Sequence, residues 1–127
     1  MRKRLGKLEL HVMKLIWDKG KATVRDVWEA LYQERGLAYT TVATVMRQLE
    51  SKGFLKHDEV DRAYIYSPLV NRSEVSQGVL REMIDGLFDG SAAKLVAALI
   101  RSQQLTEKDL NEIQRMILEY REGDDNG

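Results

Sequence analysis

The chain of 127 residues contains no cysteine, a single proline and only two histidines. Without cysteine there can be no disulfide, no thiolate metal site and no cysteine nucleophile, a composition that suits a reducing compartment. His11 and His57 are far apart in sequence and read as ordinary surface or boundary histidines; no metal and no other cofactor is expected. No apolar run approaches the length of a membrane-spanning helix. The opening MRKRLGKLELHVMKLIW is basic, but it lacks the long apolar core and small-residue cleavage site of a signal peptide. A cytoplasmic protein without membrane insertion is therefore expected. Phosphate-binding loops, nucleophile elbows and His-Glu-x-x-His motifs are all missing, so nothing points to an enzyme.

The net charge is zero, which at first argues against a polyanionic partner. Its distribution argues otherwise. Residues 1–70 hold 13 Lys/Arg against 9 Asp/Glu, whereas residues 71–127 hold 7 against 11. A basic half followed by an acidic half hints at two jobs, one of them facing nucleic acid, although scatter gives the same counts.

Apolar spacing organises both halves. Leu8, Val12, Leu15 and Ile16, with Met13 and Trp17 beside them, mark a first helix that Gly20 ends. Val24, Val27, Trp28 and Leu31 mark a second, with Thr23 as N-cap, Asp26 completing an imperfect capping box, and Gly36 at the C-terminal end. Both tryptophans fall on apolar faces and are expected in the core. A third helix over about 40–52 places Val42, Val45, Met46 and Leu49 on one side and stops at Gly53. The period then changes: Leu55–Asp58 and Ala63–Ser67 read as short strands joined by EVDR, with Pro68 ending the second. The acidic half is helical. Helices are expected over about 72–88, around Leu95–Ile100, and after Thr106, which forms an N-cap with Asp109 and a staple between Leu105 and Leu110. The expected organisation is a domain at 1–70, a helical region at 71–122 and a disordered tail at 123–127.

Three helices and a hairpin spell a winged helix-turn-helix, giving a mainly α (α+β) fold with three further helices. In that layout the third helix enters the DNA major groove, which is about 12 Å wide and admits a helix only if its leading face is uncrowded. Thr40, Ala43, Thr44, Arg47 and Ser51 share the face opposite the apolar stripe, with Thr41 flanking it. Small side chains let the helix axis sit deep. Hydroxyls can donate or accept at base edges and phosphates, Thr and Ala methyls can meet a thymine methyl, and Arg47 can reach a guanine or a phosphate. A solvated face short of Glu and Lys is the plainer alternative. Lys56, His57 and Arg62 make the hairpin basic; Arg62 can meet phosphate, or it can pair with Asp61 or Glu59 on the surface.

Three segments together resemble the penicillinase repressor family of bacterial transcription regulators, the BlaI/MecI type. They are LGKLELHVMKLIW at 5–17, TTVATVMRQLESKGFL at 40–55 and DRAYIYSPLV at 61–70, and the helical layout extends the likeness over nearly the whole chain. The resemblance implies a homodimer whose winged helices read an inverted-repeat DNA operator and whose C-terminal helices exchange between subunits. It implies repression of genes for β-lactam resistance or other functions, relieved when a membrane sensor-protease pathway leads to cleavage of the dimerisation region. Thr41 and Thr44 match the family's base-facing threonines, and Thr40, Arg47 and Arg62 fall where backbone or base contacts are expected. Two departures stand out. The family's wing turn is commonly Asp-Gly-Arg, and here it is Val60-Asp61-Arg62. The Asn-Phe bond cut in well-known members aligns with Ala98-Leu99 in LVAALIRS. Copper-responsive relatives carry a cysteine-rich site, which this chain cannot form.

The residues favour dimerisation on their own account. Val75, Val79, Met83, Leu87, Leu95, Leu99, Leu110, Ile113 and Ile117 form stripes too apolar for a short extension to bury alone. Folding back on the N-terminal half is the alternative to a second copy. Two other functions fit the same residues: a winged-helix adaptor that binds protein, and a regulator that senses a small ligand between its halves.

Overall fold

The computed structural model describes residues 4–125. Helices α1 (Lys7–Lys19), α2 (Val24–Arg35) and α3 (Tyr39–Ser51) pack with strands β1 (Ala22–Thr23), β2 (Leu55–Val60) and β3 (Ala63–Pro68). Helices α4 (Arg72–Leu87), α5 (Ala92–Arg101) and α6 (Glu107–Asp125) follow. The chain divides into two compact units, one ending at Gln77 and one beginning at Gly78. The division falls inside α4, later than the boundary after residue 70 read from the sequence, because Val75 in the first turns of α4 packs on the N-terminal core. Helix α6 continues to Asp125, where a disordered tail was expected from residue 123. The rest of that expectation, residues 126–127, lies outside the described residues.

The first unit holds every buried hydrophobic side chain among the described residues. Val12, Met13 and Ile16 of α1 meet Val27 and Leu31 of α2 and Val42, Val45, Met46 and Leu49 of α3, closed by Phe54, Leu55, Tyr66 and Val70. Burying each large side chain contributes about 1.5–3 kcal/mol. The two tryptophans flank this core instead of lying inside it. The Trp17 indole N–H donates to the Val70 carbonyl at 2.9 Å, and that of Trp28 donates to the Leu37 carbonyl at 3.0 Å. Each staples a connecting segment to a helix.

The sheet is antiparallel with order β1-β3-β2. Strand β1, only two residues long, escapes any test of alternation; it exists because Ala22 pairs with Tyr66 and Thr23 with Ile65. Thr23 then caps α2 as expected, exchanging hydrogen bonds with Asp26. The hairpin is tighter than the sequence indicates. Val60 pairs with Ala63, so Glu59 and Val60 belong to β2 and the turn is Asp61-Arg62 alone. Both turn residues have positive φ, 51° and 68°. This is the left-handed pattern of a type I′ turn, whose twist matches that of the strands it joins.

One ion pair fixes the far end of α3. Lys52 Nζ lies 2.7 Å from Glu9 Oε1 and also donates to the Arg4 carbonyl, while the Gly6 N–H donates to the same Glu9 oxygen. Burial pushes the Glu9 carboxyl up, but the Lys52 and Gly6 hydrogen bonds and the Lys52 charge outweigh it and hold the group below its ordinary value of 4.5. A carboxyl held low stabilises the fold above its ordinary value and loses that contribution as the pH falls through its folded value. Glu9→Gln should therefore reduce unfolding free energy by about 2 kcal/mol at neutral pH, the scale of a charged hydrogen bond. Denaturation across a pH series should show the gap to the native chain closing as the pH falls below 4.5. A gap independent of pH would mean that the pair does not anchor α3.

Candidate nucleic-acid interface

Helix α3 has two faces with opposite tasks. Val42, Val45, Met46 and Leu49 are buried, which leaves Thr40, Thr41, Thr44, Arg47 and Ser51 exposed together with Gln48. Ala43, expected on the exposed face, is half-buried at its edge beside the Met46 side. The exposed surface carries one charge, Arg47, whose Nη2 donates to Thr44 Oγ1 at 3.3 Å. Lys52 at the end of the helix is committed to Glu9. At the other end, Ala38 offers no side-chain cap. The Thr41 N–H donates to the Ala38 carbonyl, and the first turn as a whole has no capping side chain at the positive end of the helix dipole, where a phosphate is stabilised.

The wing is held against this helix by contacts the sequence did not disclose. His57, one of the hairpin's basic residues, is turned toward α3. Its Nδ1–H donates to Glu50 Oε2 at 2.6 Å, and its ring stacks on Tyr64 with centroids 4.2 Å apart. Tyr66 lies on the same face of β3, fully buried, with its ring 5.6 Å from His57. Burial first, and the Glu50 carboxylate next, push the Tyr66 phenol up, so it stays neutral. Glu50 and Tyr64 are the positioning residues missed from sequence. A period-2 strand identifies which residues share a face, but it cannot show which helix residue lies across the loop from them. Lys56 and Arg62 remain exposed on the wing.

The residues expected to join two copies fall into two groups. Val75 does not belong with them, since it packs on the first unit's core. Met83, Leu95 and Ile113 are half-buried in the second unit, whereas Val79, Leu87, Leu99, Leu110 and Ile117 are exposed. Leu87 is 72% exposed and Leu118 61%. Ala98 and Leu99 lie within α5, the first half-buried and the second exposed. Among the described residues no helix is long and apolar enough to cross a membrane.

A three-helix core and a hairpin wing with a bare, small-residue helix face beside it define a winged helix-turn-helix, the class of fold in which a third helix can enter a DNA groove. The family model described as penicillinase repressor matches residues 5–119, and the chain belongs to that family of DNA-binding transcriptional repressors. It is 34% identical over 126 residues to the transcriptional regulator BlaI of Mycobacterium tuberculosis, covering 97% of this chain and 89% of that protein. The DNA-binding domain of the repressor BlaI, solved in solution, superposes with a TM-score of 0.52 at 29% identity, over 58% of this chain and 93% of that one. The Bacillus licheniformis BlaI monomeric form, solved in complex with the blaP half-operator, superposes with a TM-score of 0.51 at 27% identity, over 58% and 90%.

The turn geometry separates stability from binding at one residue. Arg62 holds a φ of 68°, a conformation glycine adopts freely and other residues adopt at a cost of about 1 kcal/mol. Arg62→Gly should raise the melting temperature by about 4 °C while weakening DNA binding in titrations at moderate salt. If affinity holds while stability rises, the Arg62 side chain has no part in the interface.

Proposed function

We propose that this repressor binds an inverted-repeat operator as a homodimer, with α3 in the major groove and Arg62 of the wing reaching phosphate or the minor groove. The observation that carries the reading is the exposed face of α3: hydroxyls of Thr40, Thr41, Thr44 and Ser51 around a single arginine, beside a braced wing. Thr41 and Thr44 reach base edges; Thr40 and the first-turn amides meet the backbone. Relatives bearing the names penicillinase repressor and methicillin resistance regulatory protein support β-lactam-resistance or related genes as the targets. Such a protein acts in the cytoplasm, where the DNA is.

The dimer reading is supported by the second unit, which among its described residues has no fully buried side chain. Val79, Leu87, Val96, Leu99, Ile100, Met116, Ile117 and Leu118 are all exposed in a single copy, a density of bare apolar side chains that marks an interaction surface. A second copy covers it, and the two-fold axis of the dimer then matches the symmetry of an inverted repeat. Derepression by cleavage in this region, through a sensor-protease pathway, rests on the family alone. The Ala98-Leu99 position within α5 lacks the Asn-Phe pair, and a protease would have to unwind the helix to reach it.

Thr44→Ala should weaken operator binding by about 1–2 kcal/mol and leave binding to random duplex nearly unchanged. Arg62→Ala should weaken both and lower the salt slope by about 1. Competition titrations at several salt concentrations read both effects. Operator affinity that survives Thr44→Ala would remove α3 as the reading helix.

A further inference from the structure

The last element to be anchored on the first unit is the start of α4. Trp17 holds the Val70 carbonyl, Arg72 lies 5.6 Å over the Trp17 ring and 3.4 Å from Asp18, and Val75 packs on the core. The helix then crosses from one unit to the other between Gln77 and Gly78. At that crossing its sequence is Ser76-Gln77-Gly78. Ser76 Oγ donates back to the Arg72 carbonyl at 2.7 Å, a bond that competes with the helix ladder and favours bending. Gly78 is exposed, its φ does not require glycine, and a Cβ placed there meets nothing within 4 Å. Within one copy, neither packing nor backbone conformation therefore accounts for glycine, among the poorest helix formers. A serine and a glycine paired within one turn are among the places where helices kink.

We infer that Ser76–Gly78 is a soft point in α4 and that Gly78 is a specificity-determining residue: it sets how far the spacing between operator half-sites can vary before binding is lost. The inference rests on the operator reading above. A stiff α4 would couple each DNA-reading unit rigidly to the dimer and admit one spacing. A helix that bends at low cost between its anchored first turns and the second unit lets each α3 follow its half-site. Gly86, also exposed with open space around it, sits one residue before the end of α4, where a poor helix former matters little.

The test uses the full chain and Gly78→Ala, with Gly86→Ala as control. Duplexes carry two half-sites about one helical turn apart, with one base pair added or removed. The native chain should lose little affinity on the altered duplexes. Gly78→Ala should bind the best spacing as well as the native chain and lose about fivefold more on the altered ones, whereas Gly86→Ala should follow the native profile. Amide hydrogen exchange of the free protein is read in parallel: exchange at residues 76–80 should exceed that at 81–84, whose amides have the same kind of helical acceptor, and slow in Gly78→Ala. Identical spacing profiles for native chain and Gly78→Ala would overturn the specificity role. Uniform protection along α4 would overturn the soft point. If no paired site binds better than random duplex while exchange is still focused at 76–80, the operator reading fails and takes the specificity role with it, and the soft point stands.

Discussion

Everything the first unit does depends on one helix being buried on one side and bare on the other. The anchorage of α3 comes chiefly from Val42, Val45, Met46 and Leu49, with the Glu9–Lys52 pair at its end, the Tyr39 ring against Trp28 and the Glu50–His57 contact to the wing. None of this draws on the exposed face. That face is free to carry exposed side chains that the core does not need: three threonines, a serine and an arginine. A helix that needed long charged residues for solubility could not present so shallow a surface to a groove. The wing extends the same logic, because Glu50, His57 and Tyr64 fix its angle from behind while Lys56 and Arg62 stay outward.

The second unit is built on the opposite principle. Its helices are well capped, by Ser91 for α5 and by the Thr106–Asp109 exchange for α6. Local signals thus define each helix, but the apolar stripes have no partner within the unit large enough to bury them. Secondary structure that is locally sound and tertiary burial that is incomplete support the proposal that this unit self-associates.

How much of this was legible in the sequence depended on the range of the interactions involved. The apolar face of α3, the Thr23 and Thr106 caps and the change of period at Leu55 are local, and each was readable from spacing. The turn was misjudged by two residues, because a type I′ turn is normally announced by glycine or asparagine and here Arg62 takes the left-handed position. Strand β1 is too short to show a pattern and is specified by its partner Tyr66. His57 reads as a basic residue of the hairpin and an ordinary boundary histidine, and spacing cannot disclose its partner Glu50 across the loop. Val75 fell on the α4 stripe with the association residues, and only tertiary packing assigns it to the first unit. The penicillinase repressor resemblance was carried by three segments of the first unit. Its implications for the second unit, dimer and cleavage, rest on the family's pattern and on exposed apolar surface.

The central claim is that α3 reads DNA from a two-fold symmetric protein. Hydroxyl-radical and methylation-protection footprinting on the DNA upstream of the protein's own reading frame tests it most directly. The account predicts two protected major-groove patches, related by a dyad and separated by about one helical turn or a multiple of it. A single unpaired patch, or protection no stronger than on random DNA, would contradict it.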